Sequence, residues 1–437
     1  MKTTIAEWAL AGLLVLALLF GGGGSPSPAP ELVLQIACAI FGVAALWAGC
    51  FANGAGRTAW WLAVIVLALP AIQLIPLPPS VWNALPGRDL VAISLENVGA
   101  SGDWRPLSIA PHKTMASLLA LGPPLLVLLL TASSSDSQLR KALGAIIVMA
   151  LAATILGAVQ VASAGQVGHL YEATHRGWVT GFFANRNAAA DLFLIAVLAL
   201  LALAYGQPDT KSPARVPPGA AGVIAVLMGA ACIMTGSRVG VVLLAVLAMV
   251  WLASVAIRAI SVSRKTAGTA AAGAATVVMG LLLAGWYAGG LRQVAARFGA
   301  TRDMRAEIWP DTVHAIERFW PVGSGLGTFQ EAYAPSQRLE TLGPAIINRA
   351  HNDFLELALE GGLLALILLC AIAALLLRSA LLQWRASPLI RSRLLFAGAT
   401  LAVLAAHSLV DYPLRTMALA VLGAFAAGIV AKLVRPS

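Results

Sequence analysis

Charge is scarce in this chain. Asp, Glu, Lys and Arg make up 11% of its 437 residues, against about a quarter in an ordinary soluble domain. The length alone would allow two or three soluble domains, but no stretch is polar enough for one. Cysteine is nearly missing. Cys38, Cys50, Cys232 and Cys370 all sit in apolar runs and read as packing residues, not as a disulfide framework or metal ligands. No CxxC or HExxH pattern occurs, which leaves the familiar zinc-site spacings unmatched. Acid is outnumbered by base, 19 to 29, for a formal charge of +10. The bases are spread over many short loops, which favours membrane orientation over a nucleic-acid surface. Alternating strands are also missing: the apolar runs are continuous, which excludes a transmembrane β-barrel.

Long apolar runs are what remain. Hydrophobic residues are 59% of the sequence, and a membrane span needs roughly 20 of them in a row. Spans are expected at 4–21, 31–52, 58–76, 114–132, 139–163, 181–206, 218–236, 239–258, 267–289, 352–378, 390–410 and 414–433. They must be helical, because lipid offers no partner to a free peptide group. The fold class expected is therefore an all-α integral membrane protein of about twelve helices. The first run follows Lys2 and ends in a Gly-rich, SPSPAP-containing segment, like a signal peptide. Glu7 interrupts the charged start and a second run begins at once, so it is read as the first span.

With the N-terminus in the cytoplasm, the inner loops carry Arg57, Arg140, Lys141, Lys211, Arg215, Arg258, Arg264, Lys265, Arg378, Arg385, Arg391, Arg393, Lys432 and Arg435. They carry almost no acid, as the positive-inside rule requires. The outer face then receives long loops at 77–113 and 290–351, the segment 164–180 and two short turns. Its bases are arginines except for Lys113. Arginine's planar fork suits bidentate contact with phosphate oxygens. Salt bridges to Asp303, Glu307, Asp311 and Glu317 are the plainer reading for most of them.

GFFANRN (181–187) opens a span with Asn185, Arg186 and Asn187. These side chains suit sugar hydroxyls, or equally a helix cap and interhelical glue. Asp191, one turn on, suits an arginine partner. TGSR (235–238) is a tight turn whose Gly and Ser explain the turn but not Arg238. Arg238 either binds phosphate or snorkels to headgroups. RDMRAEIW (302–309) sets Arg305 and Trp309 one turn apart, with Arg302 upstream, as in a short amphipathic helix on the membrane surface. Gly323, Gly325 and Gly327 lack the strand and lysine of a nucleotide loop and suit a tight loop beside the site.

NRAHNDFLELALEGG (348–362) is the densest cluster. It places Arg349, His351, Asn352, Asp353, Glu356 and Glu360 at the mouth of an apolar helix. Charge near hydrocarbon is costly, so it marks a functional site. His351 is the candidate proton acceptor, and its place at a helix start offers N–H groups to an anion. The alternative is that it only caps the helix. Glu356 and Glu360 either orient His351 or pair with an arginine. In SLVDYPLR (408–415), after His407, Asp411 and Arg415 are expected to pair with each other.

In this order, GFFANRNAAA, TGSRVG, RAEIWPDTVHAIERFWPVGSGLGTF and HNDFLELALEGG resemble the O-antigen ligase and O-antigen polymerase superfamily of bacterial membrane glycosyltransferases. HSLVDYPLR resembles the tail of exopolysaccharide members. The likeness runs over about 175–420 and divides the chain into N-terminal helices at 1–174 and a ligase/polymerase-like region at 175–437. It implies a GT-C-like helical fold and a metal-independent transferase without cofactor, in the bacterial inner membrane with its site facing the periplasm. The implied donor is a glycan on undecaprenyl pyrophosphate; the implied acceptor is lipid A–core or another glycan. Within it, His351, Arg305 and Arg238 match the catalytic positions. Asn185, Arg186, Asn187, Arg302, Asn352 and Glu356 are the candidates for holding substrate. Arg186 departs from the pattern, where a small residue or proline separates the asparagines.

Within that class, ligase and polymerase share a donor and differ in acceptor, and the sequence does not separate them. A polysaccharide flippase would need polar groups along a midplane route and interrupted paired helices. A non-catalytic scaffold would tolerate loss of His351 and both arginines.

Overall fold

The computed structural model describes residues 2–23, 28–51, 54–205, 218–260, 304–344 and 346–432, with isolated positions between 276 and 296. It is a multi-pass helical membrane protein. A helix lies at every interval expected from the sequence except 267–289, which falls largely outside the described residues. Among the described residues, seven helical stretches are long and apolar enough to cross a membrane, with 111–133 taken as one, and four further apolar helices are shorter.

The helices Lys2–Phe20, Asp136–Ala162, Arg186–Tyr205, Pro388–Ser408 and Met417–Ala431 share one large core. Helices in lipid gain little from the hydrophobic effect, so close packing of small residues must hold them. Gly428 shows this: a Cβ there would meet Thr131 Cβ at 2.7 Å, which fixes Met417–Ala431 tightly on the Gly122–Ser133 helix. A Cβ at Gly240 would meet Ala190 Cβ at 2.7 Å, so the Arg238–Ile260 helix starts directly against Arg186–Tyr205. Outward faces carry large apolar side chains such as Ile40, Val148, Ile155 and Leu382, as lipid-facing surfaces do.

Three features differ from the sequence expectation. The expected span 114–132 is two helices, Pro111–Ala120 and Gly122–Ser133, joined at Leu121. The loop after the third span holds a two-stranded antiparallel ribbon, Pro76–Leu77 with Arg105–Pro106. The expected continuous span 352–378 is broken: within Asp353–Gln383, Gly362 has φ 57°, ψ −152°.

The break explains the glycine loop at 321–327. It frees backbone carbonyls that lipid could not satisfy. Ser324 N donates to Leu359 O at 3.0 Å and Gly325 N to Glu360 O at 2.8 Å; Leu363 N donates to Pro321 O at 2.9 Å. Gln73 Nε2 also donates to Glu360 O at 2.8 Å. Such backbone approach requires glycine, since a Cβ at Gly323 would lie 2.7 Å from Glu360 O. Arg88, fully buried, stitches the 77–113 loop to the same place by donating to Leu107 O at 2.6 Å and Gly323 O at 3.0 Å. Burial pushes its guanidinium down to about 10.

Candidate active site

The site is built around the start of the Asp353–Gln383 helix. Asn352 is its N-cap, with Oδ1 accepting from Phe354 N at 3.0 Å and Leu355 N at 3.1 Å. Its Nδ2 donates to Leu409 O at 2.9 Å. Asp353 N is taken by Asp411 O, and Glu356 N by Asn352 O. The first-turn donors that the sequence reading offers to an anion are therefore already used inside the protein. His351 precedes the cap, with φ 51°. A non-glycine residue in the left-handed region is strained and is held there by its surroundings.

What holds it is Asp411. His351 Nδ1 lies 3.1 Å from Asp411 Oδ1, and the rings of His351 and Tyr412 sit 5.0 Å apart, tilted by 59°. Asp411 Oδ2 accepts from Asn187 Nδ2 at 2.6 Å and Asn185 Nδ2 at 3.3 Å. Burial would raise this carboxyl, but the His351 hydrogen bond, the charges of His407 and His351 and the Asn187 bond bring it down to about 2. An ionised carboxylate on Nδ1 fixes the neutral ring with its proton there, leaving Nε2 as acceptor. Tyr412 is pushed up to about 12, first by burial and then by the Asp411 charge, and its hydroxyl bonds Asn185.

The Arg305–Phe319 helix reaches the same place. Its Ile308, Asp311, Thr312, Ala315 and Phe319 are buried, and it packs on the Asp353–Gln383 helix. Protein therefore covers the face that the sequence had suggested for a lipid surface. Trp309 Nε1 donates to Ala350 O at 3.0 Å. The tryptophan thus grips the residue before His351, and Arg305, one turn earlier on that face, is close enough for its charge to act on His407. Arg302 lies outside the described residues.

Arg238 is half-buried at the first position of its helix. Ser237 Oγ accepts from Gly240 N at 3.2 Å and so caps that helix. The preceding turn is pinned by Val179 N donating to Met234 O at 3.1 Å. Trp178 fills the space above Gly236, and the Arg186 guanidinium lies 4.9 Å over its ring. Arg186, Trp178 and the TGSR turn form one wall beside Asn187.

Beneath lies an ionic layer. The sequence expectation that Asp411 pairs with Arg415 is overturned. Arg415 instead meets Glu360 at 2.5 Å and Glu356 at 3.2 Å, while Asp411 turns to His351. Burial alone would lower Arg415, but Glu360, Glu356 and Asp353 raise it further, so it stays charged. Glu356 is fully buried, holding Arg349 at 2.7 Å and Ala350 N at 3.2 Å. Asp191 pairs with no arginine among the described residues; its Oδ1 lies 2.7 Å from His407 Nδ1. Beside this layer runs a mainly apolar groove of about 480 Å³, lined in part by Ala116, Leu121, Pro124, Leu357 and Met417, with Lys113, Arg349 and Arg415 among its polar residues.

The structure thus brings His351, Asn185 and Asn187 together around Asp411, with Arg305 nearby. It sets Asn352 as the helix cap and Glu356 in the ionic layer. Sequence reasoning missed Asp411 and Trp309 as parts of the site. The signal for Trp309 was its one-turn spacing from Arg305. For Asp411 it was an acid beside a tyrosine in an otherwise apolar hairpin.

Residues 223–370 match the family model described as O-antigen ligase, so this region is similar to that family. The match includes Arg238, Arg305, Trp309 and His351 and ends before Asp411. No curated protein matches the chain.

Proposed function

We propose, with the O-antigen ligase match as premise, that this protein transfers a glycan from undecaprenyl pyrophosphate to an acceptor hydroxyl at the periplasmic face of the bacterial inner membrane. The observation that carries the reading is the His351–Asp411 pair. It leaves Nε2 as a base at the mouth of a membrane helix, with Arg305 and the half-buried Arg238 on the neighbouring elements.

Nε2 takes the proton of the acceptor hydroxyl while the oxygen attacks the anomeric carbon. A positioned base of this kind contributes roughly 10²–10⁴-fold. The bond to the lipid pyrophosphate breaks, and Arg305 and Arg238 hold the departing charge bidentately. A single displacement inverts the anomeric configuration. Asn185 and Asn187 keep Asp411 in place and present amide edges towards sugar hydroxyls. The two guanidinium groups do the work a divalent ion would do in this scheme, so transfer should persist in chelator. The groove at Leu121 and Met417 offers an apolar surface for a lipid chain.

A ligase with lipid A–core as acceptor is the first reading, and a polymerase extending another lipid-linked repeat is the second. A flippase is less favoured: the interruption at Gly362 is filled by the 321–327 loop instead of opening a midplane route.

The test is deletion of the gene in its host, with surface glycans run on a gel and rescue by wild type and His351→Ala. Loss of polymer from lipid A–core with lipid-linked polymer accumulating means ligase. A single repeat left on the core, or loss of a free exopolysaccharide, means polymerase. An unchanged pattern in the deletion strain removes the support for transfer to either acceptor.

A further inference from the structure

A second His–Asp pair lies under the first, and the transfer chemistry does not use it. His407 Nδ1 and Asp191 Oδ1 are 2.7 Å apart, with side chains 1% and 0% exposed. Neither Asp191 Oδ2 nor His407 Nε2 has a hydrogen-bond partner among the described residues. A partly satisfied polar pair inside a membrane bundle is expensive. Replacing such a pair by apolar residues is often neutral or stabilising, so its presence argues for something other than stability.

Its place in the fold says what. Asp191 is one helical turn beyond Asn187, and His407 one turn before Asp411. The same two helical segments are therefore joined twice: at the rim by Asn187 Nδ2 to Asp411 Oδ2 at 2.6 Å, and a turn deeper by the His407–Asp191 pair. The turn carrying Asp411 hangs from His407 itself, whose carbonyl accepts from Val410 N at 3.0 Å and Asp411 N at 2.9 Å. The same strip packs tightly with Asn185 and Tyr412. Sliding one helix past the other would carry Asp411 away from His351.

We propose that His407 and Asp191 are positioning residues for glycan transfer, locking the register of the Arg186–Tyr205 and Pro388–Ser408 helices so that Asp411 reaches His351 Nδ1. The inference rests on the transfer reaction proposed above. The charged groups facing the pair are Asp411 and Arg305. Neither member touches substrate; both act through Asp411.

The test compares wild type, Asp191→Asn and the double variant Asp191→Leu with His407→Leu, each purified in lipid nanodiscs. The double variant removes both charges together, which protects the fold where His407→Ala alone would strand a buried carboxylate. Transfer from a lipid-pyrophosphate glycan is followed as kcat and KM, and backbone hydrogen exchange is read over 408–415. The expected result is a fall in kcat of about tenfold or more with KM little changed, and faster exchange confined to 408–415. Asp191→Asn, which keeps an acceptor for Nδ1, should restore most of the rate. In an Asp411→Asn background the double substitution should cost nothing further, because both changes act on one element. Wild-type kcat in the double variant, or an undiminished further loss in the Asp411→Asn background, overturns the proposal. If wild type transfers no glycan, the reaction reading falls instead. Exchange then decides the register claim by itself: unchanged protection over 408–415 refutes it.

Discussion

The imidazole of His351 and the carboxylate of Asp411, 60 residues apart in the chain, meet at 3.1 Å between Nδ1 and Oδ1. The contact crosses from the mouth of one broken helix to the turn between the last two helices. Asp411→Asn keeps the shape but removes the charge that fixes the ring tautomer. Its kcat should fall by about 10²-fold or more, with protein level and KM little changed. Asn187→Ala, which removes one bond to the same carboxylate, should cost less. Steady-state kinetics of the two variants check the order.

The Asp411 carboxyl also links stability to pH. Its folded value, about 2, is below the ordinary 3.8. A depressed value means that the folded state favours the carboxylate. The contribution is fully present above the ordinary value and is lost as pH falls through about 2. The size is about 2 kcal/mol. Wild type should therefore exceed Asp411→Asn in thermal stability at pH 5, and the margin should shrink as pH falls below about 4. Unfolding curves across that range measure it.

Trp309→Phe keeps the ring but loses the 3.0 Å hydrogen bond to Ala350 O. A lost hydrogen bond of this kind costs about 1 kcal/mol, so global stability should hardly change. The backbone that carries His351 would lose its grip, and kcat should drop about tenfold, as small displacements at a reacting centre do. Turnover and melting temperature, measured together, separate the two effects.

Gly362→Ala should be severe. The residue has φ 57° and ψ −152°, and a Cβ would stand 2.2 Å from Pro321 O. Both the backbone strain and the collision with the 321–327 loop oppose folding. Membrane yield and melting temperature should fall sharply, whereas Gly398→Ala, in open space, should be neutral.

Arg415→Met should act through stability rather than chemistry. It strands the fully buried carboxylate of Glu360 and leaves Glu356, also fully buried, with Arg349 and Ala350 N alone. Breaking a buried ion pair on one side costs about 3–5 kcal/mol. The expected outcome is poor yield, partly recovered when Glu360→Gln is added. Detergent-solubilised yield of the single and double variants tests it.

The helices were legible because lipid imposes a long, continuous apolar run on each of them. The break at Gly362 was not, because EGG reads as part of such a run. Its cause is the distant 321–327 loop, whose N–H groups take the carbonyls of Leu359 and Glu360. His351 stood out as a histidine at the mouth of an apolar helix. Asp411 did not: Arg415, four residues on, was the obvious local partner, and only the tertiary fold gives Arg415 to Glu356 and Glu360. Asp191 was misread for the same reason, since arginines crowd the loops expected on its side of the membrane and His407 comes to it from 216 residues away.

The most direct measurement is single-turnover transfer by purified protein in nanodiscs. The reactants are a lipid-pyrophosphate glycan and the acceptor identified in the host, with wild type compared to His351→Ala. The proposed chemistry predicts that wild type transfers glycan in the presence of EDTA. It also predicts that His351→Ala still binds the donor but transfers about 10²–10⁴-fold more slowly. Equal rates for the two proteins, at equal donor occupancy, would contradict the assignment of His351 as the base.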